Sequence, residues 1–336
     1  MYAPLPDSWM QWLADNRLRD CSPESVVETM VQAGLDRRSC VAAVNELEGH
    51  PVFLAARKHQ QLTRKLESVL ANQQKVWESS RDYGVVERRK EVGADEFRER
   101  YACGSRPLVL TGLARDWPAL ERWQPRKLKE RFGDLDVEIQ SGRNNDAKFE
   151  ENKLQHRRVV KFGEFVGMIT AGGPTNDHYL TANNQLLRRP EFASLLDDVG
   201  PLPGYCDRER FADLSYFWLG PAGTRTPLHH DTVMLLHTQV VGRKRWKLVS
   251  PLETPRVYNY NGMFSPVDAD APDLARYPAF APVKVLDVTL EPGDTLFLPL
   301  GWWHQVASLE VSVSLSFSSL GVDNTFEYQD PSITDW

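Results

Sequence analysis

Three residues of this chain, His229, Asp231 and His304, have the side chains and spacing to hold a metal ion. His229 and Asp231 are two apart, and on a strand residues two apart point to the same face. Both heads can therefore reach one point. His304 follows about seventy residues later, on a further strand of the same sheet system. Two imidazoles and one carboxylate on one side of a metal leave the opposite positions open, the donor set that suits non-haem Fe(II). An isolated H-x-D pair can equally be a surface turn, so the elements around it must carry the argument.

Those elements read as strands joined by tight turns. Residues 233–241 form a strand, Gly242 turns the chain, and Lys244–Val249 returns. Glu291, Pro292, Gly293 and Asp294 supply turn chemistry. Thr295–Leu298 forms the next strand, and His304 opens another after a Pro-Leu-Gly loop. This order suits a jelly-roll barrel with a site at its mouth. Residues 311–318 alternate throughout. Val311, Val313, Leu315 and Phe317 form one face and serines, Ser316 among them, form the other, which is expected to line a polar cavity. On Lys244–Val249 the same parity turns Lys244 inward with Trp246 and Leu248, and turns the competing cations Arg245 and Lys247 outward. His230 falls on the outer face by alternation.

The ordered motifs resemble one family. They are residues 218–231, running from Trp218 through Pro221 and Gly223 to His229 and Asp231; residues 239–244 around Gly242; residues 267–273; and the stretch from Pro292, Gly293 and Asp294 to Trp303 and His304. Over roughly residues 95–320 they are similar to the JmjC/cupin-like hydroxylases. That group includes the small JmjC-only protein hydroxylases and the asparaginyl hydroxylase that inhibits hypoxia-inducible factor. The resemblance implies a mainly β core with helices, a double-stranded β-helix (jelly-roll, cupin/JmjC-type), preceded here by an N-terminal helical region. It implies Fe(II), 2-oxoglutarate and O2, with His229, Asp231 and His304 as metal ligands.

It also implies a cosubstrate pocket. Lys244 matches the cation for the distal carboxylate of 2-oxoglutarate, Thr226 a hydroxyl, Tyr179 a phenol, and Ser316 a small polar residue facing the cosubstrate. Thr226 could instead be a cap or turn residue and Tyr179 a core aromatic. Six residues after His229, several relatives carry an Asn where this chain has Leu235. His237, two further on, could replace that donor or be a satisfied core histidine. Trp302 and Trp303 read as channel wall or barrel packing. Asn183, Asn184 and the 258–262 loop are candidate rim residues.

Composition bounds the rest. A chain of 336 residues with 41% hydrophobic content fits one large or two smaller globular domains. A formal charge of −6 shows no basic excess for a nucleic-acid surface. Cys21, Cys40, Cys103 and Cys206 are scattered without a C-x-x-C pair and read as reduced thiols. No apolar run approaches a membrane span, and the start lacks a signal-peptide pattern. A cytoplasmic protein is expected, with no nucleic-acid or membrane partner.

Residues 1–80 read as helices. Ser22 caps one that Gly34 stops, Asp36 caps a second, and a third runs from about residue 51 to 79. Its stripe of Leu54, Leu62, Leu66, Val69, Leu70 and Trp77 is either packed on its own domain or the seam of a homodimer. The charged residues 80–95 read as a solvated connector, and the domains are set at 1–85 (N-terminal helical region) and 86–336 (catalytic domain). Residues 142–152 read as a polar loop.

The expected function is Fe(II)/2-oxoglutarate-dependent hydroxylation of a protein or peptide side chain, with succinate and CO2 as coproducts. Two alternatives remain: the same chemistry on a free amino acid or small metabolite, and a non-catalytic cupin-fold binding module.

Overall fold

The computed structural model describes residues 4–182, 185–200, 202–259 and 262–324. The chain divides into two compact units, Met1–Val76 and Trp77–Trp336. The first holds α1 (Asp7–Leu18), α2 (Pro23–Gln32), α3 (Arg37–Gly49) and most of α4 (Pro51–Glu78). Ser22 accepts from the Ser25 amide and Asp36 from the Ser39 amide, so both expected caps satisfy amides that a helix start leaves open. Gly34 takes the left-handed conformation just past α2. His50 is extended and Pro51 begins α4, as expected of the residue before a proline and a proline in a first turn. Leu13, Val26, Val27, Met30, Cys40, Ala43 and Val44 form the buried core of this unit.

The second unit is built on strands: β1 (Glu87–Arg89), β2 (Leu108–Leu110), β3 (Asp136–Ser141), β4 (Arg157–Lys161), β5 (His178–Tyr179), β6 (Ser215–Gly220), β7 (Arg225–His229), β8 (Leu235–Val241), β9 (Lys244–Val249), β10 (Leu286–Leu290), β11 (Thr295–Leu298), β12 (Trp303–Ser308) and β13 (Ser312–Phe317). Among the described residues, one sheet has the order β1-β2-β11-β8-β13-β6, a second β10-β9-β12-β7 and a small third β4-β3-β5. The first two form the two-sheet jelly roll expected from the turn pattern.

Burial separates three layers. Outside the larger sheet, Leu236, Val240, Val313, Leu315 and Phe317 pack with Phe97, Trp123, Phe162 and Phe217. Between the sheets, Leu296 and Leu298 meet Trp246, Leu248, Val288 and Val306. Outside the smaller sheet, Leu228, Val249 and Trp303 are covered by Val257, Val267 and Phe280 of the segment between β9 and β10. The serine face of β13 therefore lies inside, as its alternation requires.

Two segments differ from the sequence reading. Within the charged connector, Glu87–Arg89 pairs in parallel with β2 and forms an edge strand. Its charges are met locally: Arg88 pairs with Asp294, Arg89 with Glu96, and Glu87 accepts from the Tyr101 hydroxyl. Charge at a sheet edge also protects it from further pairing. The helical stripe divides as well: Leu54, Leu62, Leu66 and Val69 are exposed, while Leu70 and Trp77 are half-buried.

Candidate metal centre and cosubstrate pocket

Three paired strands set the inward face of the smaller sheet. On β9, Lys244, Trp246 and Leu248 lie opposite Ser308, Val306 and His304 of β12. On β7, His229 lies opposite His304 and Thr226 opposite Val306, with a bulge between the pairs. Two residues of β12 thus span three of β7. The extra residue brings Thr226 and His229 to the same face despite their odd separation, as a bulge does.

The ligand atoms of His229, Asp231 and His304 all lie within 4.8 Å of one another. The two imidazole rings are 4.0 Å apart between centroids, and His304 Nε2 is 3.6 Å from Asp231 Oδ2. Both rings are held alike: His229 Nδ1 faces the Pro227 carbonyl at 2.9 Å and His304 Nδ1 the Trp302 carbonyl at 3.0 Å. With each Nδ1 carrying the proton, each Nε2 is left as a donor to a metal. Phe264 stacks on His229 and Trp246 on His304. Burial holds His304 well below its usual range, reinforced by His229, and pushes the Asp231 carboxyl up against the pull of His229 and His230. Neutral imidazoles suit a metal, and a cation would relieve the half-buried carboxylate, so the set fits a divalent ion. His230 packs on Trp303 on the outer side, as alternation requires.

Deeper in the barrel, Lys244 is buried, and its ammonium donates to the Tyr179 hydroxyl at 3.2 Å. Burial pushes Lys244 down to about 7 and the Tyr179 phenol up. No carboxylate pairs with Lys244 among the described residues, whereas Arg245 and Lys247 turn outward to Asp270 and Asp287. Trp218 completes the enclosure, 5.8 Å from Tyr179 and with its indole donating to Ser316 Oγ at 2.8 Å. His237 lies across from Ser316 and Leu296, 4.7 Å from the Trp246 ring, and its Nε2 has no partner among the described residues. Burial, then Lys244, hold His237 well below its usual range. A dicarboxylate would meet this ammonium and this imidazole nitrogen.

The sequence-derived residues thus fall into two groups, the triad and the Tyr179–Lys244–Ser316–His237 enclosure. Thr226 shares the inward face, but no hydrogen bond or ring contact ties it to either group among the described residues. Trp302 and Trp303 are buried packing residues whose indoles donate to Ser105 and Thr254. Asn183 and Asn184 lie outside the described residues, as do Tyr260 and Asn261 of the rim loop.

Arg143 falls in the segment read as a polar loop. It is 1% exposed, pairs with Glu150 at 2.7 Å and lies over the Tyr179 ring at 5.2 Å. No spacing rule marks a loop arginine as buried. Trp218 stood in a quoted motif without a role. A cavity of about 770 Å³ flanks the site, lined by residues that include Arg143, Lys148, Glu150, Pro227, Phe264 and Asp268.

The cupin-like domain matches residues 94–318. The chain is similar to lysine-specific demethylase 8 of Xenopus tropicalis, 30% identical over 231 residues that cover 66% of this chain and 50% of that protein. It is also similar to Jumonji C domain-containing protein 5 of Drosophila melanogaster, 32% identical over 66% of this chain and 57% of that protein. With tRNA wybutosine-synthesizing protein 5 of Gallus gallus it shares 31% identity over 62% of this chain and 69% of that protein. The chain spans about half the length of the first two. Among the described residues no helix is long and apolar enough to cross a membrane.

Proposed function

This chain belongs to the cupin-like domain family, and from that premise we propose that it is an Fe(II)- and 2-oxoglutarate-dependent dioxygenase that hydroxylates a side chain of a protein or peptide. One observation carries the reading: a single barrel interior holds both a three-ligand metal set and a buried ammonium with no carboxylate partner among the described residues. When bound, iron and 2-oxoglutarate supply the oxidising power, one atom of O2 going to the substrate carbon and the other to succinate as CO2 leaves.

The protein's part is binding, orientation and exclusion of water. His229, Asp231 and His304 hold the metal, each Nε2 kept free by the carbonyl at its Nδ1. Lys244, with the Tyr179 hydroxyl, takes the distal carboxylate of 2-oxoglutarate in a charge-assisted contact. His237, Ser316 and Thr226 complete the pocket, His237 supplying a donor where Leu235 has none. Trp218 and Trp246 wall it against solvent. Residues 86–336 form the catalytic domain and 1–85 a separate helical region.

The cavity beside Phe264 admits the substrate, and its wall carries both charge signs, which suits a peptide. A net charge of −6 favours a protein substrate over the RNA suggested by the name of one relative.

The test is incubation of the full chain with Fe(II), 2-oxoglutarate, O2 and a peptide library. We expect succinate to form and a peptide to gain one oxygen atom. Failure to bind 2-oxoglutarate in the presence of the metal would overturn the proposal.

A further inference from the structure

Helix α4 carries a seven-residue repeat whose core positions are all on its exposed side. Val52, His59, Leu66 and Gln73 are seven apart, as are Ala55, Leu62, Val69 and Val76, and the two series alternate by three and four residues. These are the a and d positions of four heptads. All eight side chains are exposed, and the five large apolar ones, Val52, Leu62, Leu66, Val69 and Val76, are 48 to 72% exposed. The face that the helix does bury, through Phe53 and Gln74, is a different one. An apolar face of this length on a single chain marks an interaction surface.

We propose that α4 pairs with the α4 of a second copy of this chain, as a parallel, in-register, two-stranded coiled coil. Period and charge both specify that occupant. A seam that keeps a strict period of seven fits another helix of the same period rather than a globular groove. Its polar interruptions, His59 and Gln73, are both at a positions. In parallel register each meets its own copy and every apolar residue meets an apolar one. An antiparallel partner would set them against apolar residues, His59 near Val69 and Gln73 near Ala55. Polar pairs at a positions fix register in this way.

The flanking charges agree. Lys58 and Lys65 are at g positions, and in parallel pairing they face the uncharged Thr63 and Leu70 of the other copy. The Lys65 stem can then lie along Leu70 with its ammonium in water. Antiparallel pairing would set Lys65 against its own copy. The interface is isologous, so one chain is sufficient to build it.

Light scattering on the full chain at tens of micromolar should give the mass of a dimer. Leu66→Glu, which sets two charges into the seam, should give a monomer with unchanged helix content by circular dichroism. Gln61→Glu, on the same helix but off the seam, should remain dimeric. Orientation is read by cysteine cross-linking in a Cys103→Ser background, which removes the exposed native thiol. Leu66→Cys should form a disulfide-linked dimer in parallel register, whereas an antiparallel pair would cross-link only a mixture of Leu62→Cys and Leu66→Cys chains. A monomeric wild type, a dimer indifferent to Leu66→Glu, or cross-linking confined to the mixture would each overturn the proposal.

Discussion

The two ends of the barrel interior hold groups of opposite charge, the half-buried Asp231 at one and the buried Lys244 at the other. At the His304 end a carboxylate sits with two imidazoles and no Lys or Arg partner among the described residues, and burial pushes Asp231 up. At the Lys244 end an ammonium sits with a phenol and the Trp218 indole, with no carboxylate partner among the described residues, and burial pushes it down to about 7. Isolated charge in a low-dielectric interior is costly, so a ligand of opposite charge would stabilise each end. Four residues of strand, about 13 Å of backbone, separate Lys244 from Leu248, the residue opposite His304. A molecule that chelates a metal through one end and carries a carboxylate at the other would satisfy both sites at once.

The largest loss is expected at the metal end. His304→Ala removes one of three ligands, and divalent metal affinity should fall by at least about a hundredfold, more than loss of an outer partner costs. The fold should persist, because the side chain contributes little to the apolar core between the sheets. Metal content after dialysis against a fixed Mn(II) concentration checks this, and wild-type content in the variant would contradict the assignment.

A smaller effect sharpens the other end. Below about pH 7 Lys244 carries its proton, and above it the free protein is neutral there. A carboxylate partner raises the affinity of Lys244 for that proton, so binding above pH 7 requires proton uptake. The affinity for 2-oxoglutarate should be flat below about pH 7 and fall by up to about tenfold per pH unit above it. Calorimetric titrations in buffers of different ionisation enthalpy would show the proton uptake. A pH-independent affinity would mean that Lys244 does not meet the ligand.

The smallest effect concerns the residue that bridges the two ends. His237 faces both Lys244 and His304 and keeps Nε2 without a partner among the described residues. If that nitrogen serves the cosubstrate, His237→Leu should cost about 1 kcal/mol of 2-oxoglutarate affinity, roughly fivefold, with metal affinity unchanged. An unaltered titration would return His237 to the role of a core histidine.

Much of this was legible in the chain because strands have a period of two. Val313, Leu315 and Phe317 reach the outer core and Ser312, Ser314 and Ser316 the interior, as alternation requires. The same parity placed Lys244 inward and Arg245 and Lys247 outward. Helix caps were legible at Ser22 and Asp36 because the capping chemistry is local.

What stayed hidden depends on partners distant in sequence. The β7 bulge that aligns Thr226 with His229 exists only against β12. Arg143 is buried through Glu150, Phe149 and Tyr179. Glu87–Arg89 reads as a linker until β2 and the charges around it are in place. The alternation in α4 shows a stripe, yet only the burial pattern shows which side of it remains open.

Calorimetric titration of 2-oxoglutarate shows whether one ligand completes both ends. Wild-type chain and Lys244→Met would each be titrated with and without Mn(II). Tight binding is expected only for the Mn(II)-loaded wild type. Lys244→Met with Mn(II) should bind the metal normally and 2-oxoglutarate about thirtyfold or more weakly, the loss expected when a buried charge loses its partner. Equal affinity in the two proteins, or binding that ignores the metal, would contradict this expectation.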